Sequence, residues 1–198
     1  MPKIVDKEEV QAQILQAAMH EFTHVGVHAA TISGVAKAAN MGKGTLYLYY
    51  DSKDAIIAAL ADQIFRQIEA NLIADKDFKT LEAFGRHLRS TMSYSDEQGQ
   101  GTRVFFEIFG PSFASESFVA KVADFFDRLG AYYAEKLEAL QGLGEIRNDI
   151  DPKITGRSLA AMVDGVILHK GLFSIPTRRH SALVRAAIDL VISGLKPH

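Results

Sequence analysis

Apolar side chains recur along this chain at steps of three and four, and nowhere in the strict alternation of a half-buried strand, which restricts the fold to packed helices. Val10, Ile14, Ala17, Ala18, Phe22 and Val25 form one such stripe, predicting a helix from about Asp6 to His24 that Gly26 ends. Ile56, Leu60, Ile64 and Ile68 form another, from about Ser52 or Lys53 to Ala74. Further helices are expected over Phe78 to Tyr94, Thr102 to Phe109, Ser115 to Leu140, Asp151 to Phe173 and Arg178 to Leu195. Leu81, Phe84, Leu88 and Met92 are expected to point inward from the first of these. The polar stretch from Ser95 to Gly101 reads as a loop, and Gly110-Pro111 as a stop. Asp151-Pro152 reads as an N-cap followed by a proline at the first helical position. The fold class is all-α.

Composition narrows the functional classes. With 198 residues, 47% of them hydrophobic, the chain is long enough to bury a full core in one or two domains. Cysteine is absent, so disulfides and thiolate metal sites are excluded. No apolar run approaches the length a bilayer requires. The opening Met1-Pro2-Lys3-Ile4-Val5-Asp6-Lys7 is too charged to begin a signal peptide, so a cytoplasmic protein without membrane attachment is expected. The net charge of −2 does not by itself favour nucleic acid. Its distribution is more informative: from Phe22 to Tyr50 there is no Asp or Glu, while Lys37 and Lys43 are present and Lys53 follows.

Within that acid-free stretch lies a compact unit. Thr31 is placed to cap a short helix whose inner face is Ile32, Val35, Ala36 and Ala39. Asn40-Met41-Gly42 reads as a tight turn, because Asn and Gly tolerate the left-handed backbone of a sharp helix end. A second short helix runs from Lys43 to Tyr49 or Tyr50, with Leu46 and Tyr50 inward. Small residues stand where the two helices must cross. This is the pattern of a helix-turn-helix, whose second helix enters the major groove of DNA, although a plain helical hairpin of a core shares its spacing. Lys43, Thr45, Tyr47, Tyr49 and Lys53 offer donors to phosphates or base edges, and Gly44 permits close approach.

The literal residues are more specific than the spacing. Ile14-Leu15-Gln16-Ala17-Ala18, Phe22, Gly26, Thr31-Ile32, Val35-Ala36, Ala38-Ala39, Lys43 to Tyr50 and Ser52-Lys53-Asp54 closely resemble the N-terminal domain of TetR-family transcriptional regulators, over roughly residues 8 to 60. The resemblance implies a three-helix DNA-binding domain in residues 1–52, followed by a larger helical domain for effector binding and dimerisation in residues 53–198. It places Thr31, Lys43, Gly44, Thr45, Tyr47, Tyr49 and Lys53 where the family contacts DNA. It also implies a homodimeric repressor that binds a palindromic double-stranded operator and is released by a small apolar or amphipathic effector, with no cofactor. The chain departs from the family pattern at Asn40 for the turn glycine, Gly42 for a capping Ser or Thr, and Leu48 for a His or Tyr.

Two other readings remain open on the residues. His20-Glu21-Phe22-Thr23-His24 matches the helical H-E-x-x-H of zinc hydrolases. Catalytic zinc needs a third protein ligand, and Gly26 and His28 are misplaced for the longer form of that motif. The other is a helical ligand-binding protein whose helix-turn-helix no longer binds DNA. Beyond residue 60 no catalytic constellation stands out, but aromatic residues are dense from Phe105 to Tyr133. Aromatics at helical spacing commonly fill a core, and as a set they can also line a cavity. Met92, Phe106, Phe109, Phe125 and Met162 are the candidates for such a pocket. The last two predicted helices are apolar over more than one face, as a buried helix or a four-helix dimer interface requires.

Overall fold

The computed structural model describes residues 7–72, 77–93, 105–173 and 175–197, which are helical with short connections. The helices are α1 (Lys7–Val25), α2 (Ile32–Ala38), α3 (Lys43–Tyr47), α4 (Lys53–Leu72), α5 (Leu81–Met92), α6 (Glu116–Gly142), α7 (Pro152–Leu172) and α8 (Thr177–Leu195). Residues 105–109 add a helical stretch that tightens into a 3-10 turn, Gly110–Ala114. No described helix is long and apolar enough to cross a membrane. The loop expected from Ser95 to Gly101 lies outside the described residues.

The chain divides into two compact units. One comprises Met1–Gln67 with Val104–Phe118, the other Ile68–Arg103 with Val119–His198. In the first unit α1 packs on α2, and α2 on α3. Its core holds Ile14, Ala18, Phe22, Val35, Ala36, Leu46, Ile56, Leu60 and Ala61. Val25, assigned to the α1 stripe by spacing, is 48% exposed instead, because it is the last residue before Gly26 turns the chain away. A row of rings joins the late segment to α4: Phe65 to Phe105 at 6.1 Å, Phe105 to Phe109 at 4.6 Å, and Phe109 to Phe118 at 5.7 Å. The α-helical stretch ends at Phe109 as the sequence suggests, and Gly110-Pro111 opens the 3-10 turn. Proline sits at the start of the 3-10 turn, where its missing N–H is not needed.

In the second unit α5 packs on α7 and α8, and α7 on α8. The helix predicted from Phe78 begins only at Leu81. Thr80 caps it by accepting from the Ala83 N–H at 3.2 Å, and the Glu145 carboxylate accepts from the Leu81 N–H at 3.0 Å. Phe78 packs edge-on against Phe84 from outside the helix. Asp151 caps α7 as expected, accepting from the N–H groups of Lys153 and Ile154. Between α6 and α7, Gly144 takes φ +73°, and the Gln141 amide donates to the carbonyls of Arg147 and Ile150. Buried Lys170 donates to the Ile175 carbonyl and to Thr177 Oγ1, closing the α7–α8 connection. His180 Nε2 lies 2.8 Å from the Met92 carbonyl, which ties α8 to the end of α5.

Helices α6 and α7 cross at glycines. A Cβ added to Gly156 would fall 2.6 Å from the Ala134 nitrogen and 2.6 Å from the Gly130 carbonyl oxygen. Those are backbone atoms that no rotamer change moves aside. Gly156→Ala is therefore expected to destabilise the protein by about 1–3 kcal/mol through overpacking, read as a lowered urea midpoint at fixed protein concentration. An unchanged midpoint would show that the crossing is looser.

Burial pushes the Asp164 carboxyl on α7 up to about 6. That lies above the unfolded value of roughly 3.9, so between those two pH values the native state holds more protons than the unfolded chain. Stability from this group therefore rises as pH falls through about 6. Asp164→Asn is expected to raise the thermal midpoint at pH 7.5 and to lose that advantage near pH 4. An equal gain at both pH values would refute the assignment.

Candidate nucleic-acid interface

The short helix α3 is held by everything before it. Gly26, at φ +80°, ends α1 in a conformation that favours glycine. Thr31 then caps α2, its Oγ1 accepting from the Gly34 N–H at 3.0 Å. Two contacts bind α2 to α1 besides the apolar core. The Gln13 amide donates to the Ala39 carbonyl at 2.8 Å, satisfying an acceptor at the end of α2. The Glu21 carboxylate lies over Gly34, so closely that a Cβ there would stand 2.1 Å from its Oε1.

The turn is a Schellman motif closed by asparagine. Asn40 takes φ +55°, the Met41 N–H donates to Ala36, and the Asn40 N–H donates to Lys37. Gly42 follows as the N-cap of α3 with no side-chain cap. Leu46 is fully buried and Tyr50 nearly so, which fixes the inward face. The helix is shorter than its sequence pattern suggests, ending at Tyr47, so Tyr49 stands half-buried in the following turn.

The opposite face is open. Lys43, Gly44, Thr45, Tyr47 and Leu48 are all exposed, Tyr47 by 45% and Leu48 by 80%. The Lys43 ammonium lies 5.7 Å from the Tyr47 ring centroid, a cation–π pair one helical turn apart. Thr31 is also exposed, its hydroxyl already engaged as a cap. Lys53 has a further duty that its sequence position does not reveal. Its ammonium donates to the carbonyls of Val27 at 2.8 Å and Ala30 at 3.2 Å, binding α4 to the α1–α2 loop. Of the seven residues singled out by sequence, five thus lie on or beside α3, while Thr31 and Lys53 stand at the starts of α2 and α4. Gln13 and Glu21 are the supports that spacing did not reveal, because their partners are distant in sequence.

The histidine motif on α1 is arranged differently from a metal site. The rings of His20 and His24 stack at 4.0 Å, and His24 Nδ1 lies 2.9 Å from the His20 carbonyl. Glu21 faces Gly34 of α2. Among the described residues no group of three or more potential ligands could hold a metal ion, so the third ligand a zinc hydrolase requires is missing there.

The aromatic pocket candidates are divided between the units. Phe106 and Phe109 belong to the first, Met92, Phe125 and Met162 to the second. Met92, Phe109 and Phe125 are buried, and Phe106 and Met162 half-buried.

Comparison with known proteins gives the following. Residues 14–60 match the sequence model of the tetR family of bacterial regulatory proteins, and residues 82–193 that of the C-terminal region of BetI-type transcriptional repressors. The uncharacterized HTH-type transcriptional regulator YdgC of Bacillus subtilis is 25% identical over 195 residues, 96% of this chain and 94% of its own. The HTH-type transcriptional regulator UidR of Escherichia coli is 24% identical over 163 residues, 82% of each chain. Among solved structures, a TetR transcription regulator from Haloarcula marismortui superposes with a TM-score of 0.79 at 17% identity, covering 96% of this chain and all of that one.

The left-handed residue gives a direct test of the turn. Asn40→Val places a β-branched side chain at positive φ and is expected to cost about 1–2 kcal/mol, whereas Asn40→Gly should be tolerated. Urea denaturation of both variants checks this. Equal midpoints would mean that Asn40 does not hold the left-handed turn.

Proposed function

The chain belongs to the tetR family of bacterial regulatory proteins, and from that premise we propose that it is a homodimeric repressor released from a palindromic operator by a small apolar or amphipathic ligand. The observation that carries the DNA-binding part is the outward face of α3. It presents Lys43, Gly44, Thr45 and Tyr47 from a stretch without a single acidic residue. Phosphate oxygens are met by an ammonium and hydroxyls, and the bare Gly44 backbone lets the helix lie close to the groove. Thr31, Tyr49 and Lys53 border this face and are assigned to phosphate contacts, Lys53 with the donor left over from its two carbonyls. In this reading residues 1–52 read DNA, and residues 53–198 bind effector and dimerise.

The second unit has features that support the remaining roles. Ile154 and Phe173 of the α7 region and Leu183 and Leu190 of α8 are exposed apolar side chains, as a helical interface between two copies requires. A two-fold pair would set two α3 helices against two half-sites. Among the described residues, the Tyr133 hydroxyl and His180 Nδ1 are buried without a hydrogen-bond partner. Buried polar atoms of this kind call for a ligand or water, and His180 adjoins the pocket candidate Met92. Met92 and Phe125, which are buried, and Met162, which is half-buried, are the apolar candidates in the same unit.

The test is fluorescence anisotropy on a duplex that the protein enriches from a random pool, compared with a scrambled duplex at two salt concentrations. Tyr47→Ala and Lys43→Ala each act in both half-sites and are each expected to weaken binding of the dimer roughly 25-fold, the worth of two hydrogen bonds. Lys43→Ala should also reduce the salt slope by about two, one phosphate contact in each half-site. Affinity unchanged in both variants would overturn the assignment of α3.

A further inference from the structure

One residue on the open face of α3 is unlike its neighbours. Leu48 is an apolar side chain 80% exposed to solvent, at the C-cap of the helix. It stands two residues from Leu46 and two from Tyr50, which are both buried, so it points away from the scaffold. Residues three and four positions before it, Thr45 and Gly44, share its face. A helical side chain leans over the turn N-terminal to its own Cα, and here that turn carries Gly44, around which a Cβ would meet nothing within 4 Å. No side chain at Gly44 shields Leu48, and little of it is covered by the fold. The scaffold gains little from leucine at this position.

From this geometry we infer that Leu48 determines operator specificity by contacting the C5-methyl group of a thymine in the major groove. The inference rests on the DNA-binding reading of α3 and extends it to a base. Phosphates, sugars and most base edges are polar, and the thymine methyl is the apolar group that a major groove displays. Tyr47, one residue away, and Lys43, five residues away and paired with the Tyr47 ring, have the chemistry to hold the phosphate backbone beside it. The acid-free stretch around α3 favours the polyanion as occupant over a second apolar protein surface. Leu48 thereby distinguishes thymine from cytosine and from uracil at one position of each half-site.

The experiment replaces each thymine of the pool-enriched duplex in turn by deoxyuridine, which removes only the methyl group. Each duplex is titrated with the wild-type protein and with Leu48→Ala, whose substituted side chain is exposed and not needed for folding. The expected result is one thymine per half-site at which the wild type loses about four-fold in affinity, the worth of one buried methyl. Leu48→Ala, which loses the contact in both half-sites, should bind the unmodified duplex about 16-fold more weakly and show no further loss with deoxyuridine there. Selective binding by the wild type with no sensitive thymine, or a deoxyuridine effect that persists in Leu48→Ala, would overturn the inference and leave the DNA-binding reading intact. Binding by the wild type no tighter than to a scrambled duplex would overturn that reading and this inference together.

Discussion

The burial of Leu46 is the constraint on which the rest of the reading unit depends. A helix of five residues has no stability of its own, since nucleation costs more than so few hydrogen bonds return. α3 exists because Leu46 is fully enclosed, with Tyr50 anchoring the turn that follows. Each support behind it serves to build the socket for that side chain. Ala36 and Ala39 keep the crossing narrow, Gln13 caps the end of α2, and Lys53 fastens α4 to the loop before α2. A rigid scaffold under a small outward face is what recognition requires, because geometry held by packing does not have to be ordered again on binding.

The second unit follows a different logic. Its crossing at Gly130 and Gly156 brings two helix backbones into contact, and its connections are pinned by single polar side chains: Glu145, Gln141, Asp151 and Lys170. Glu145 and Asp151 accept from N–H groups that a helix start leaves without partners, while Gln141 and Lys170 donate to carbonyls of the connecting loops. Lys170 illustrates how a buried cation is accommodated here, with the Ile175 carbonyl and the Thr177 hydroxyl as acceptors. Close packing and pinned connections leave the exposed apolar residues of α7 and α8 as the features that the monomer fold does not use.

What could be read from sequence was whatever local stereochemistry dictates. Thr31 and Asp151 as caps, Asn40 as a left-handed residue and Gly26 as a helix end all act within four residues of themselves, so their patterns are visible in the chain. The inward positions Ile14, Ala18, Phe22, Val35 and Leu46 followed from periodicity alone. Non-local pairings were not legible. Nothing in the spacing says that Lys53 reaches back to Val27, that Glu145 fixes the start of α5, or that the rings at 105–118 join α4 in the first unit. Polar side chains on exposed helix turns look alike in sequence whether they face solvent or a carbonyl 26 residues away. The candidate interface was legible to the same extent: α3 and its outward face were, and the double duty of Lys53 was not.

The charge pattern explains how a chain with net charge −2 is compatible with a polyanionic partner. In sequence, acidic residues bracket the reading segment rather than enter it: Glu8, Glu9 and Glu21 lie on α1, Asp51 just before α4, and Asp54 and Asp62 on α4. Glu21 is turned against Gly34 of α2, and Asp51 stands exposed four residues after the end of α3. Like-charge repulsion then disfavours approach of DNA by α1 or by α4 beyond its first residue, Lys53, while the stretch from Phe22 to Tyr50 carries only positive and neutral groups. Acids beside a basic face lower non-specific affinity and sharpen orientation, because a misdocked duplex meets carboxylates. A uniformly basic domain would bind more tightly to any duplex and discriminate less. With the electrostatic term kept small, base contacts make up a larger share of the binding free energy, so one apolar side chain on α3 is sufficient to alter sequence preference.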